Sequence, residues 1–311
     1  MKHKLFPVTL LLLVACNQNP NNTNDEKMNY PQTRMDNTVD TYFGTQVSDP
    51  YRWLEDDRSA ETAQWVKAQN DFTFGYLSKI PYRQAIKEKL EKLWNYEKLS
   101  APFTEGDYTY YYKNDGLQNQ SVLYRKDKEG KEEIFLNPNT FSKDGTTSLG
   151  DVAFSEDGSL VAYLISEGGS DWRKGIVLDA KTKKRIGDTL VDIKFSSIAW
   201  KGNEGFFYSS YDKPKGSELS AKTDQHKLYY HKLGTSQKSD KLIFGGTPTE
   251  KYRYVSGTVS NDGKYLFISV ANATSGNKLF VKDLSNPKSS LVTITNNFDG
   301  DTGFVNNQGT T

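Results

Sequence analysis

Between residues 59 and 94 the apolar side chains recur with the period of an α-helix. One predicted face contains Trp65, Gln69, Phe72 and Tyr76, and another contains Ile86, Leu90 and Trp94. Because Pro81 separates the two faces, the pattern predicts two amphipathic helices. Ser59 is the expected N-cap of the first helix. Pro81 is expected in the first turn of the second helix, where its missing N–H leaves no hydrogen bond unmade.

Beyond Leu99 the helical period gives way to short aromatic and β-branched runs separated by Gly, Asp and Asn. The chain also repeats itself roughly every 50 residues, each unit beginning with an apolar residue and a polar turn that contains glycine. The four turns are Phe103-Thr-Glu-Gly-Asp, Phe154-Ser-Glu-Asp-Gly, Trp200-Lys-Gly-Asn and Val259-Ser-Asn-Asp-Gly. The strands predicted after them are 108–113, 121–125 and 133–136; 160–166 and 175–179; 205–210, 227–233 and 241–244; and 265–270, 278–284 and 291–295.

Units of this length with three or four strands each are typical of a β-propeller, whose blades bury their faces against their neighbours. A β-sandwich can have similar strand spacing, but it does not explain the same turn at the same place in every unit. The prediction is therefore a mainly β fold with about four blades present. A fifth blade is expected to open near Asn297.

The composition of the 311 residues excludes several classes of protein. Lys plus Arg is 40 against 39 for Asp plus Glu, so the chain lacks the basic excess that nucleic-acid binding uses. The single Cys excludes intramolecular disulfides and any metal cage built from several cysteines. A mean hydropathy of -0.72 excludes a protein with many membrane spans.

The amino terminus, MKHKLFPVTLLLLVAC, has a basic start, a short apolar stretch and a small residue before Cys16. Residues 1–15 are therefore predicted to be a signal peptide. The end of this segment resembles the bacterial lipobox, which implies acylation of Cys16. Residues 16–28 then form a flexible tether, and the protein is exported to the periplasm or the outer surface, held to the membrane by its lipid anchor alone. The alternative is a plain signal peptide with an incidental Cys.

No catalytic constellation is recognisable in the sequence. The chain lacks the G-x-S-x-G nucleophile elbow, a P-loop and an H-E-x-x-H motif, so no catalytic residue, metal site or cofactor is predicted. His226 and His231 are assigned to the surface or to a strand and not to a general base. The acidic run 55–57 is assigned to a solvated lead-in to the first helix, because it lacks the spacing of a calcium loop.

A set of ordered motifs resembles the prolyl oligopeptidases, serine peptidases that cut short peptides after proline. The motifs are Asp49-Pro-Tyr-Arg-Trp-Leu-Glu-Asp56, Gly116-Leu-Gln-Asn-Gln-Ser-Val-Leu-Tyr124, Phe154-Ser-Glu-Asp-Gly158, Gly169-Ser-Asp-Trp172, Val191-Asp-Ile-Lys-Phe-Ser196 and Lys227-Leu-Tyr-Tyr-His231. Their order follows the family's order over most of the chain after the signal peptide.

The resemblance implies a seven-bladed propeller that caps an α/β-hydrolase domain carrying a Ser-Asp-His triad. Residues 29–98 would be the amino-terminal helical segment of the peptidase domain, and residues 99–311 the propeller, truncated in its fifth blade. The triad and the rest of the hydrolase domain are expected to lie outside this chain. The chain is thus expected to be a truncated or partial product, inactive on its own, from an enzyme that acts on proline-containing oligopeptides.

The resemblance also implies two substrate-binding positions. Phe195 matches the propeller aromatic that contributes to the pocket for the substrate proline, and Tyr254 falls near another pocket position in a looser alignment. The alternative for both is packing within a blade or tunnel. Two other functions also stay open: a stand-alone surface propeller that binds peptide or protein, and a related propeller-capped peptidase of different specificity.

Overall fold

The structure, a computed structural model, describes residues 28–213 and 225–309. The signal peptide predicted for residues 1–15 and the predicted lipidation site Cys16 lie outside the described residues. Within the described part, a short hairpin and two helices precede a series of antiparallel sheets. The hairpin consists of β1 (Val39–Tyr42) and β2 (Thr45–Ser48), and the helices are α1 (Ala60–Ser78) and α2 (Arg83–Trp94).

Both predicted helices are present, and the first begins as predicted. The Ser59 hydroxyl accepts a hydrogen bond from the Thr62 N–H at 3.0 Å, which caps α1. The prediction for Pro81 is wrong. The helix α2 starts at Arg83 with Tyr82 as its N-cap, and Pro81 lies in the preceding turn, closed by a hydrogen bond from the Arg83 N–H to the Ile80 carbonyl. The fixed φ of proline suits this turn position as well as it suits a helix start.

In the described residues, four sheets follow the helices in chain order. The first contains β3 (Lys98–Leu99), β4 (Phe103–Glu105), β5 (Tyr108–Asn114), β6 (Val122–Lys126) and β7 (Glu132–Leu136). The second contains β8 (Thr147–Phe154), β9 (Leu160–Glu167), β10 (Trp172–Asp179) and β11 (Arg185–Lys194). The third contains β12 (Ala199–Lys201), β13 (Gly205–Ser210), β14 (Lys227–Lys232) and β15 (Lys241–Phe244). The fourth contains β16 (Tyr254–Val259), β17 (Tyr265–Ala271), β18 (Lys278–Asp283) and β19 (Val292–Thr295).

In the second, third and fourth sheets the strands pair antiparallel in chain order. The repeated turn joins the first two strands of each unit, and its chemistry recurs. In the second sheet the Gly158 N–H donates to the Ser155 carbonyl at 2.8 Å, and in the fourth the Gly263 N–H donates to the Ser260 carbonyl at 2.8 Å. Gly158 has φ +71°, and a Cβ there would overlap the backbone at Gly106 in the neighbouring turn. Glycine is therefore required where the first two blades meet.

Each sheet packs on the next sheet along the chain. Successive residues of β9 show this directly, because Val161 and Tyr163 join the core shared with the first sheet, while Ala162 and Leu164 join the core shared with the third. The third and fourth sheets share a further core that includes Leu228 and residues of β17. Strands that bury both faces in this way form three interfaces among four sheets, which a two-sheet sandwich does not provide.

The mainly β propeller fold predicted from the sequence is confirmed, with four blade sheets in the described residues. The sequence pattern missed the hairpin strands β1 and β2 and the short strands β3 and β4 of the first sheet. It also missed β8, β12 and β16, which begin the later sheets, and β11, the last strand of the second sheet. The strand that begins each unit was missed because the sequence pattern counted its apolar residue as part of the repeated turn. In the structure this residue belongs to the strand that precedes the turn. The strands β8, β12 and β16 together line a cavity of about 550 Å³ and are therefore the innermost strands of their sheets. Between residues 296 and 309 the structure describes no further strand.

None of the helices in the described ranges is both long enough and apolar enough to cross a membrane.

Candidate functional site

Aromatic side chains from three blades lie together at one end of the strands of these sheets. In an antiparallel meander, successive strands run in opposite directions. The end of the second strand therefore lies beside the start of the third. The end of the fourth strand and the start of the first strand of the next blade lie at the same end of the sheets. Trp172 begins β10, Phe195 follows β11, Tyr211 follows β13 and Tyr254 begins β16. The topology therefore brings together residues that are up to 82 positions apart in the sequence.

The structure brings the two predicted substrate-binding residues into contact. The ring centroids of Phe195 and Tyr254 are 5.9 Å apart, with the ring planes at 61°. Phe195 also meets the Tyr211 ring edge-to-face, at 6.2 Å and 87°. Phe195 is 42% exposed and Tyr254 is 39% exposed, so both rings present apolar surface to an incoming group. Such a surface binds a compact apolar ring by excluding water from both partners.

His226 holds these aromatic residues in place. Its Nδ1 accepts a hydrogen bond from the Val255 N–H at 2.8 Å, and its Nε2 donates to the Lys194 carbonyl at 2.9 Å. The acceptor role of Nδ1 fixes the neutral tautomer that carries its proton on Nε2. Lys194 precedes Phe195 and Val255 follows Tyr254, so one imidazole joins the backbones beside both site residues. The ring also stacks on Tyr211, with centroids 4.3 Å apart.

The assignment of His226 to the surface or to a strand is therefore wrong, since its exposed fraction is 0% and it lies just before β14. Burial away from water lowers its pKa from 6.5 to about 4, and the hydrogen bond to the Lys194 carbonyl only partly offsets this. His226 is consequently neutral near pH 7. Both ring nitrogens are engaged by backbone groups, so neither is available to a substrate.

The backbone that carries Phe195 is strained. Phe195 has φ +49°, and Asp192 three residues earlier has φ +56°, both in the left-handed region that non-glycine residues rarely occupy. Asp192 lies within β11, where the pairing with β10 is irregular, and two contacts hold it there. The Ser210 hydroxyl donates to its carbonyl, and the Lys213 ammonium lies 3.1 Å from its carboxylate. Positive φ at Phe195 ends the strand and directs the chain toward β12, a conformation that the surrounding contacts maintain.

His231 lies within β14, as the sequence predicts, and its side chain contacts a carboxylate. Its Nδ1 is 2.8 Å from an Asp240 carboxylate oxygen, and the second carboxylate oxygen accepts from Tyr208 Oη at 2.8 Å. Neither described histidine hydrogen-bonds a serine, so the described part of the chain contains no serine–histidine pair. Among the same residues, no group of three or more His, Cys, Asp or Glu side chains is placed to hold a metal ion.

Comparison with known proteins adds the decisive observation. Residues 30–311 match the family model described as prolyl oligopeptidase, N-terminal beta-propeller domain. The chain belongs to the prolyl oligopeptidase family. It is 56% identical to the prolyl endopeptidase of Elizabethkingia miricola over 312 aligned positions, which cover 100% of this chain and 44% of that protein. With the prolyl endopeptidase of Elizabethkingia meningoseptica it shares 57% identity, covering 93% of this chain and 41% of the relative.

Solved structures of the prolyl oligopeptidase family have a similar fold over the part that this chain matches. One is prolyl oligopeptidase B from Galerina marginata bound to a 35mer hydrolysis and macrocyclization substrate. It aligns with a TM-score of 0.74 and 30% identity, covering 91% of this chain and 43% of the other. The chain thus spans less than half the length of the family members it matches.

The sequence indicated Phe195 and Tyr254 through the family resemblance alone, and it missed the residues that support them. Tyr211 and His226 belong to no periodic pattern, because each lies just outside a strand. Their place at the site follows from the way consecutive blades meet.

Proposed function

We propose that this chain is the propeller part of a serine-type prolyl oligopeptidase that cleaves short peptides after proline. The observation that carries the proposal is the combination of a family match over residues 30–311 with an exposed aromatic site at Phe195 and Tyr254. In this proposal, residues 29–98 complete an α/β-hydrolase domain and residues 99–311 form the propeller that caps it. The hydrolase domain supplies the Ser-Asp-His triad.

Two features of the helical segment support a hydrolase domain as its partner. Leu90 and Trp94 on α2 are 54% and 62% exposed, and none of the residues of α2 is buried. A helix of 12 residues is marginal in water without such cover. A domain packed on α2 would bury this apolar surface and would bring the triad close to the propeller.

Phe195 and Tyr254 are proposed to contact the pyrrolidine ring of the substrate. The two rings meet at 61° and leave apolar surface exposed, which suits a compact ring without hydrogen-bond donors. His226 and Tyr211 are positioning residues in this proposal, because they hold the backbone and the rings and do not touch the peptide.

The test is a fusion of this chain with the carboxy-terminal part of the Elizabethkingia miricola enzyme, which is the part that this chain does not match. We expect the 311-residue chain alone to leave a chromogenic Gly-Pro substrate uncleaved. The joined protein should cleave it, in a reaction abolished by a serine-directed inhibitor. Turnover by the chain alone would contradict its proposed inactivity. A folded, joined protein without activity would instead favour a stand-alone propeller that binds peptide or protein.

We also propose that the protein is exported and anchored by a lipid on Cys16. The support is the basic, apolar and small-residue order of residues 1–16. Mass spectrometry of the amino-terminal peptide from membrane extracts tests this proposal. An acylated Cys16 at the new amino terminus is the expected result, and an unmodified Cys16 in a soluble fraction would contradict it. Cys16→Ser should release the protein from the membrane.

A further inference from the structure

Lys194 is a buried cation at the edge of the aromatic site. It is the last residue of β11 and lies opposite Trp172 in the register of the second sheet. Only 6% of the residue is exposed. Its ammonium lies 4.8 Å from the centroid of the Trp172 ring and 5.2 Å from that of Phe195. The charge is therefore held between two aromatic faces beside the residue that we propose contacts the substrate.

This ammonium has no carboxylate partner among the described residues. Neighbouring lysines differ, since Lys213 lies 3.1 Å from the Asp192 carboxylate and Lys227 lies 2.5 Å from the Asp212 carboxylate. Lysine is almost never this buried without a paired charge, because removing an ammonium from water is unfavourable. Two aromatic rings offset part of that penalty. They supply no hydrogen-bond acceptor of the strength of a carboxylate, so the donors of Lys194 remain available.

We propose that Lys194 binds a carboxylate of the peptide substrate and so favours acidic residues near the proline. The inference rests on the proposed function, because it places the proline ring on Phe195. An extended peptide advances about 3.3 Å per residue, and the ammonium is 5.2 Å from the Phe195 ring. A Glu or Asp one or two residues from the proline therefore reaches Lys194. The ligand class is an anionic proline-containing peptide, and Lys194 is a specificity-determining residue.

The first test measures binding to the 311-residue chain itself. The lysine ammonium signals are recorded by ¹H–¹⁵N NMR, and the Lys194 signal is identified by its loss in Lys194→Met. We expect acetyl-Gly-Glu-Pro-Gly-amide to shift this signal in a saturable way, and the matched glutamine peptide to leave it in place. Equal shifts with both peptides, or no shift with either, would overturn the inference. This measurement does not depend on catalysis.

The second test uses the joined protein and the same pair of sequences as substrates. The ratio of kcat/KM for the glutamate peptide to that for the glutamine peptide should fall about tenfold in Lys194→Met, through a rise in KM for the glutamate peptide. Lys194→Arg should restore most of the ratio because it keeps the charge. Lys174→Met is the matched control, since Lys174 lies on β10 and pairs with Glu167 at 2.7 Å.

The outcomes separate the two proposals. A joined protein that cleaves neither peptide contradicts the proposed function, while the NMR result still decides the role of Lys194. If Lys194→Met lowers kcat/KM equally for both peptides, the ammonium does not distinguish the glutamate peptide from the glutamine peptide, and the inference is wrong.

Discussion

The blade sheets of this chain bury apolar residues, whereas the helical segment leaves large apolar residues exposed. Leu164 and Ile268 have exposed fractions of 0%, each in a core shared by two neighbouring sheets. In the helical segment, Phe74 is 61% exposed and Trp94 is 62% exposed. Consecutive blades bury each other's faces, whereas the described chain offers the helices no equivalent partner. Most of the stability of this chain therefore resides in the sheets.

Local contacts hold α1 but cover only part of it. Trp65 Nε1 donates to Thr33 Oγ1 at 2.9 Å, and the Tyr30 ring lies 5.0 Å from the Phe72 ring. Tyr76, predicted on the same face, is 51% exposed. The segment that precedes the hairpin thus contacts this face from Trp65 to Phe72 and leaves Tyr76, near the end of the helix, half exposed.

The largest expected effect comes from truncating a blade-core residue. Leu164→Ala removes side-chain volume between the second and third sheets and should lower the free energy of unfolding by about 2–5 kcal/mol. The matched control is Leu90→Ala in α2, which should change it by less than about 0.5 kcal/mol because Leu90 is exposed. Urea titration followed by fluorescence measures both. Similar losses in the two variants would remove the contrast between the regions.

The next effect is a dependence of sheet stability on pH through His226. Its pKa is about 4 when folded and 6.5 when unfolded, so the unfolded state binds a proton first as the pH falls. Full stability is present above pH 6.5 and is lost as the pH falls toward about 4, by about 3 kcal/mol in all.

His226→Gln tests the origin of this pH dependence. The variant should be less stable than the parent near neutral pH, because it loses at least one backbone hydrogen bond. It should also lose less stability than the parent between about pH 7 and about pH 4.5, since no imidazole is protonated on unfolding. Urea titrations at the two pH values measure this. Parallel losses in both proteins would assign the pH dependence to other groups.

A smaller effect is expected at the contact between the first two blades. Arg125 is 2% exposed, donates to the carbonyls of Ala180 and Lys181, and lies 4.0 Å from the Tyr108 ring. Arg125→Met leaves both carbonyls without this donor and should destabilise the sheets by about 2 kcal/mol. Lys126→Met, one residue along β6 and exposed, serves as the control. A melting temperature unchanged in both variants would contradict the bridging role of Arg125.

The smallest effect should be confined to the helical segment. Ser59→Ala removes the N-cap of α1 and should weaken that helix by about 1 kcal/mol. Hydrogen exchange of the α1 amides should become faster, while the urea midpoint of the sheets stays at its parent value. A matching shift of that midpoint would mean that the helices and the sheets unfold as one unit.

The sequence predicted the parts of the fold that local patterns determine. The period of about 50 residues and the polar, glycine-containing turns located most blade strands, because each turn satisfies its own backbone groups. Ser59 was identified as an N-cap for the same reason. β11 was missed because it carries bulges at its pairing with β10 and its burial does not alternate strictly.

The site was less accessible to sequence reasoning. Phe195 and Tyr254 were named through resemblance, and no pattern indicated that they touch. His226 was assigned to the surface or to a strand, because a lone histidine before a strand gives no local sign of burial. Its partners at Lys194 and Val255 come from two other sheets. Contacts of this kind depend on the relative placement of blades, which strand periodicity does not determine.

Hydrogen exchange measured by mass spectrometry tests the central claim most directly. The 311-residue chain is compared with the same chain joined to the carboxy-terminal part of the Elizabethkingia miricola enzyme. We predict that the α2 amides exchange rapidly in the chain alone and become protected in the joined protein, while β9 and β17 are protected in both. Protection of α2 in the chain alone, or its continued rapid exchange in the joined protein, would contradict the claim that a hydrolase domain completes the helical segment.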